Sequence, residues 1–278
     1  MTHASTGWVF WAGTVGFGVP VFDRLEAAAA VDIQRFSITP LDVEWAGNNG
    51  VGPKELGRRI NASGYDIVMD PLVNWYGGDP HPGSRFGRFS ADDTLRMCEN
   101  VGAVSVNIIG QPEHDATLDQ LVTAFAAVCD RVREIGAEAT LEFTPISAIA
   151  TLSQGWDIVR AADHPSGGLL FDTWHFDRSG GDLATLASVP GDRIFSVQVA
   201  DARPEITDNV RADTIHRMLP GDGTIDLGAV LATLHRIGGL RWVGTEVISP
   251  ELEAMDPATA ARLADGRVRE LLAGIEDA

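Results

Sequence analysis

Leu169–Gly181 reads LLFDTWHFDRSGG. An apolar run with the character of a buried strand ends in a carboxylate, Asp172, and an imidazole, His175, follows three residues later. Burying an ionised group at the edge of a core is costly unless a charged or hydrogen-bonding partner meets it there. The same kind of short, β-rich run recurs at 8–12, 33–38, 66–71, 104–109, 138–143, 194–199 and 242–248. Between these runs lie segments with helical spacing. One carries Leu118, Leu121, Val122, Phe125, Val128 and Val132, another Leu227, Val230, Leu231, Leu234 and Ile237. Asp115 and Asp226 are placed to cap helix N-termini, and Gly64, Gly102, Gly136 and Gly238 to close C-termini.

Near-continuous apolarity suits parallel strands covered by helices. Eight strand–helix units in 278 residues give about 35 residues each, the size of one βα repeat, and eight repeats close a barrel. The expected fold is α/β, a (β/α)8 TIM barrel with a single domain over residues 1–278. An open doubly wound sheet is the rival. It would show a Gly-rich turn of the GxGxxG kind after the first strand, whereas Gly13, Gly16 and Gly18 are spaced GxxGxG and no acid ends the second run.

Composition removes several function classes. The formal net charge of −18 disfavours a nucleic-acid partner, because such binding draws on cations at phosphates. Lys54 is the single lysine, which argues against Schiff-base chemistry and a P-loop. Cys98 and Cys129 fall inside helical patterns and read as small core residues. No run approaches the ~20 apolar residues of a membrane helix. A cytoplasmic protein without a leader is expected, acting on a small molecule, with no membrane partner and with room for a homo-oligomer.

In a barrel the chemistry gathers where strands end. By the runs above, the fifth strand ends in Glu142, the sixth in Asp172 and the seventh in Gln198, while the eighth contains Glu246 near its end. Four oxygen-bearing side chains on consecutive strands can converge at the barrel mouth. Either a divalent cation neutralises the acids, or arginines and helix N-termini satisfy them one at a time.

The set Leu141-Glu142-Phe143-Thr144-Pro145, Phe171-Asp172-Thr173-Trp174-His175, Val197-Gln198-Val199-Ala200-Asp201 and Gly244-Thr245-Glu246-Val247 resembles the xylose-isomerase-like TIM-barrel superfamily of sugar phosphate isomerases and epimerases, most strongly over about residues 138–250. The resemblance implies that Glu142, Asp172, Gln198 and Glu246 bind one metal ion. It also implies that His175 holds a substrate hydroxyl or supports the ligands from behind, and that Arg217, within His216-Arg217-Met218-Leu219-Pro220-Gly221-Asp222-Gly223, binds substrate oxygens. Most members carry histidine where Gln198 stands. The resulting all-oxygen set favours Mn²⁺ or Mg²⁺ over Zn²⁺, with Co²⁺ admissible. Endonuclease IV shares the fold but uses many histidines; seven histidines, mostly away from strand ends, set it aside.

Glu142 and Glu246 are the expected acid/base pair. They would flank a carbon beside a carbonyl and carry out isomerisation or epimerisation of a keto-sugar, cyclitol or related hydroxy-ketone through an enediolate. The alternative is a metal-dependent lyase or dehydratase at the same site, resembling 3-dehydroshikimate dehydratases or cleaving a C-glycoside. Those dehydratases typically carry histidine and lysine where Thr144 and Ala200 stand here. Trp11, Trp75 and Trp174 are candidate pocket walls, with packing of loops onto the barrel as the competing reading; Phe176 is read in the same way. Arg88 and Arg178 are candidate anion contacts. The loop 200–225, with Asp201, Arg203 and Asp208, and the loop around Gly77-Gly78-Asp79-Pro80-His81 are candidate lids.

Overall fold

The computed structural model describes residues 6–78, 80, 84–206 and 209–276. Asp79, His81 and Asp208 lie outside the described residues. Eight strands follow one another in chain order round a closed barrel: β1 (Gly7–Phe10), β2 (Arg35–Ile38), β3 (Asp66–Leu72), β4 (Ala103–Ile109), β5 (Glu138–Glu142), β6 (Gly167–Asp172), β7 (Ile194–Val199) and β8 (Trp242–Thr245). The expected (β/α)8 architecture is thus present. Among the described residues no helix is long and apolar enough to cross a membrane.

The chain forms two compact units, one from Arg35 to Leu170, the other from the residues up to Gln34 and from Phe171 onward. In the first, β2 to β6 pair in parallel; Ile109 is registered with Glu142, and Glu142 with Leu170. In the second, β8 pairs in parallel with β1 and β7, placing Gln198 beside Gly244 and Val199 beside Thr245. Gly244 has a steric reason to lack a side chain, since a Cβ there would meet Val9 O at 2.0 Å.

Local signals set the helix boundaries. The helix Leu118–Glu134 begins at Thr117, whose hydroxyl accepts from Gln120 N while the Gln120 side chain accepts from Thr117 N. This capping box lies two residues past Asp115, the expected cap, and satisfies two orphan donors at once. Asp226 caps Leu227–Ile237 as expected. All four closing glycines have positive φ, but only Gly102 and Gly238 are the cap itself; Gly64 and Gly136 stand one residue further on. Leu121, Phe125, Val128 and Val132 are buried, whereas Leu118 is exposed at the mouth of its helix. Each fully buried Leu or Phe contributes roughly 1.5–3 kcal/mol.

Two strand ends differ from expectation. Gln198 is next to last in β7, and Glu246 follows the final residue of β8. The ladder runs on for one bond, from Glu246 N to Val199 O at 3.2 Å. Ile248 O then accepts from Arg217 N, so the chain passes from the sheet to a loop.

Candidate metal and substrate site

Asp172 closes β6 and caps the short helix Thr173–Arg178, its Oδ1 accepting from His175 N at 2.9 Å. That cap explains the spacing of carboxylate and imidazole in the sequence: the helix turn brings residue 175 back over residue 172. The other oxygen, Oδ2, accepts from Arg217 Nη1 at 2.7 Å. The same Nη1 donates to Glu246 O at 2.9 Å and lies 3.3 Å from Glu246 Oε2. Arg217 Nη2 stands 3.4 Å from His175 Nε2.

All four side chains are buried. Burial alone would push the Asp172 carboxyl up, but the Arg217 guanidinium and then His175 hold it below the ordinary carboxylate range. The Trp174 ring supports the cluster, its centroid 5.1 Å from the Arg217 guanidinium carbon and 5.3 Å from the His175 ring centre. Asp172, His175, Arg217 and Glu246 are therefore brought together. The alternative expectation, that arginines satisfy the acids, is also met in part, because Arg217 bridges Asp172 and Glu246. Gln198 is buried on β7, level with Gly244, two residues before Glu246.

In the other unit Glu142 ends β5, and its Oε2 accepts from Asn107 Nδ2 at 2.6 Å. The same amide nitrogen donates to Asp70 Oδ1 at 2.7 Å. Asp70, Asn107 and Glu142 are all buried, so a single amide joins carboxylates from β3 and β5. Sequence reasoning passed over Asn107 and Asp70, although each is a polar residue inside an apolar run, a signal that usually marks a required hydrogen bond.

Trp11, Trp75 and Trp174 are buried at 1%, 6% and 0% exposure. Trp75 donates from Nε1 to Ile109 O at 2.9 Å and meets Phe125 edge-on, so it also pins its loop to the barrel. Phe176 is buried against Phe171. Arg178, a candidate anion contact, is committed to Asp213, Asp177 and Arg203 O. Arg88 pairs with Glu44 at the surface.

The chain matches the family model described as xylose isomerase-like TIM barrel over residues 22–267. It is 33% identical over 180 residues to a 3-dehydroshikimate dehydratase of Pseudomonas aeruginosa, covering 65% of this chain and 27% of that protein. It is 33% identical over 170 residues to an inosose isomerase of Bacillus velezensis, covering 56% of this chain and 58% of the relative. The chain thus spans about a quarter of the dehydratase's length and somewhat over half of the isomerase's. Among solved structures, the IolI protein with a bound zinc atom superimposes with a TM-score of 0.82 at 20% identity, covering 97% of this chain and 99% of that one.

Proposed function

The chain belongs to the xylose isomerase-like TIM-barrel family, and on that footing we propose that it is a divalent-metal-dependent isomerase or epimerase of a keto-sugar, cyclitol or related hydroxy-ketone. The observation that carries the reading is the convergence of Asp172 and Glu246, from the ends of two barrel strands, on one buried guanidinium. Carboxylates gathered in a buried place are stabilised by cations, and a divalent ion would add to what Arg217 supplies there. The reading is also supported by His175, whose Nε2 is buried 3.8 Å from Asp172 Oδ2 and adds a donor atom there.

The donors fit a hard ion. Glu142, Asp172, Gln198 and Glu246 would hold it, and oxygen ligands of this kind suit Mn²⁺ or Mg²⁺, with Co²⁺ as a third choice. A bound divalent cation would supply Lewis-acid stabilisation of negative charge developing on a substrate oxygen. The chain's own groups do the rest. Glu142 and Glu246 take and return the proton at the carbon beside the carbonyl. Asn107 holds Glu142 in place through Oε2. Arg217 and His175 orient substrate oxygens, and Trp11, Trp75 and Trp174 exclude water from the mouth.

Inosose isomerases among the relatives support the isomerase reading. The 3-dehydroshikimate dehydratase match supports a lyase at the same site, in which proton removal is followed by loss of a neighbouring leaving group. The test is solvent deuterium exchange with Mn²⁺ across keto-sugars, cyclitols and cyclic ketones. Exchange at the α-carbon with unchanged product mass (apart from deuterium) supports isomerisation, and loss of water or a glycosidic group supports the lyase. Exchange that persists in Glu246→Gln would reject the assignment of the base.

A further inference from the structure

Asp201 lies two residues past the end of β7 and is 1% exposed. Its Oδ2 accepts from Gly221 N at 3.1 Å and Gly223 N at 3.0 Å, and its Oδ1 from Ala202 N at 2.8 Å and Ile225 N at 3.0 Å. Four main-chain donors thus wrap one carboxylate. The glycines follow from this. Gly221 has φ 89°, in the left-handed region. A Cβ on Gly223 would lie 2.4 Å from Asp201 Oδ1 and 2.4 Å from Ala202 O. The Pro-Gly-Asp-Gly turn is shaped as a cradle for an internal anion.

The cradle bears directly on Arg217. The backbone of Asp201 exchanges both hydrogen bonds with Met218, each 2.9 Å, and Arg217 N donates to Ile248 O at 3.0 Å. Arg217 is therefore held from one side by the Asp201 turn and from the other by the segment after β8. From there its guanidinium reaches Asp172 and Glu246.

We propose that Asp201 is a positioning residue: it folds the turn 218–225 around its carboxylate and thereby fixes the Arg217 guanidinium on Asp172 and Glu246. The candidate lid is, at this end, a strut. An amide cannot replace the carboxylate, because its NH₂ group would face two N–H donors with nothing to accept them. The proposal rests on the preceding reading only in taking these three side chains as part of the reactive site.

Arginine side-chain nuclear magnetic resonance on the metal-free protein tests it. The Arg217 guanidinium should give resolved, slowly exchanging signals, assigned by their loss in Arg217→Lys. Arg24, buried and bonded to Val19 O at 2.7 Å, is the internal control. In Asp201→Asn the Arg217 protons should exchange at least ~10-fold faster, as expected for a locally opened segment, while Arg24 is unchanged. Should that variant fail to fold, Gly223→Ala keeps the charge but drives the turn off it, and the same selective loss is expected. Unchanged Arg217 signals in either folded variant would overturn the proposal, as would equal loss at Arg24. In the exchange assay Asp201→Asn should lower kcat more than it raises KM, and should cost less in an Arg217→Lys background. An inactive wild type would sink the reading of function but leave the resonance result standing.

Discussion

Arg217 Nη1 sits 2.7 Å from Asp172 Oδ2, with both side chains excluded from water. The pair gives the end of β6 a charge partner within the protein itself. Removing one member of such a pair strands the other, and that is worth about 3–5 kcal/mol at a buried site. Because Glu246 also meets Arg217, the lower end is expected: Asp172→Asn should destabilise the metal-free protein by about 3 kcal/mol at pH 7. The pH dependence has a definite sign. The folded carboxyl is held below its ordinary value, so its contribution is complete above about pH 4 and is lost as pH falls through the folded value. Urea unfolding from pH 7 to 3 should show a shallower acid decline in Asp172→Asn than in wild type; parallel curves would refute the coupling.

The Asn107 bridge makes a second prediction. Asn107→Leu removes the amide that donates to both Asp70 and Glu142. Hydrogen bonds to charged groups contribute about 1.5–3 kcal/mol each, partly offset here by the added apolar volume. A loss of about 2–3 kcal/mol in chemical unfolding is expected, and a loss below ~1 kcal/mol would show the bridge to be incidental.

The barrel was legible because its signal is repetitive. Eight apolar runs at even spacing, each followed by a helix, leave few alternatives, and errors of up to three residues at an end, as at β8, do not change the topology. Strand ends were less legible, since the termination of β8 depends on Arg217 N capturing Ile248 O, a bond between residues 31 positions apart. Asp172, Glu142 and Glu246 stood out because acids at the ends of apolar strands demand a partner. Which partner was not legible: Asp172 and Glu246 meet the guanidinium of Arg217, and Glu142 meets the amide of Asn107, pairings between residues far apart in the chain that no local pattern announces. Asn107 was passed over because a polar residue inside an apolar strand signals a required hydrogen bond without naming its partners.

Metal binding should be visible without turnover. A ligand that binds only the folded state stabilises it by RT ln(1 + [L]/Kd), about 2.7 kcal/mol at 100 times Kd. Mn²⁺ or Mg²⁺ should raise the unfolding temperature of chelator-treated protein, and excess chelator should reverse the rise. Glu246→Gln and Glu142→Gln should each weaken the effect, because each loses a charged oxygen donor. A shift with Zn²⁺ but none with Mn²⁺ or Mg²⁺ would reject the oxygen-donor assignment.

Cys98 and Cys129 are buried in the helices Ala91–Val101 and Leu118–Glu134. Burial pushes each thiol up to about 12, and at Cys129 the neighbouring Asp130 adds to the rise. The thiolate is the reactive form, so both should resist a thiol reagent at pH 8 and react only as fast as the chain opens. The same shift has a consequence at alkaline pH. In the unfolded chain the thiols ionise near pH 8.5, whereas in the folded protein they keep their protons to about 12. Between those values the unfolded state releases protons that the native state retains, so stability must fall as pH rises. Replacing Cys98 and Cys129 by alanine should lower stability at pH 7 through lost packing, but it should flatten the decline between about pH 9 and 11. Rapid labelling of either thiol in the native protein would show that the helix faces carrying them are not closed against the barrel.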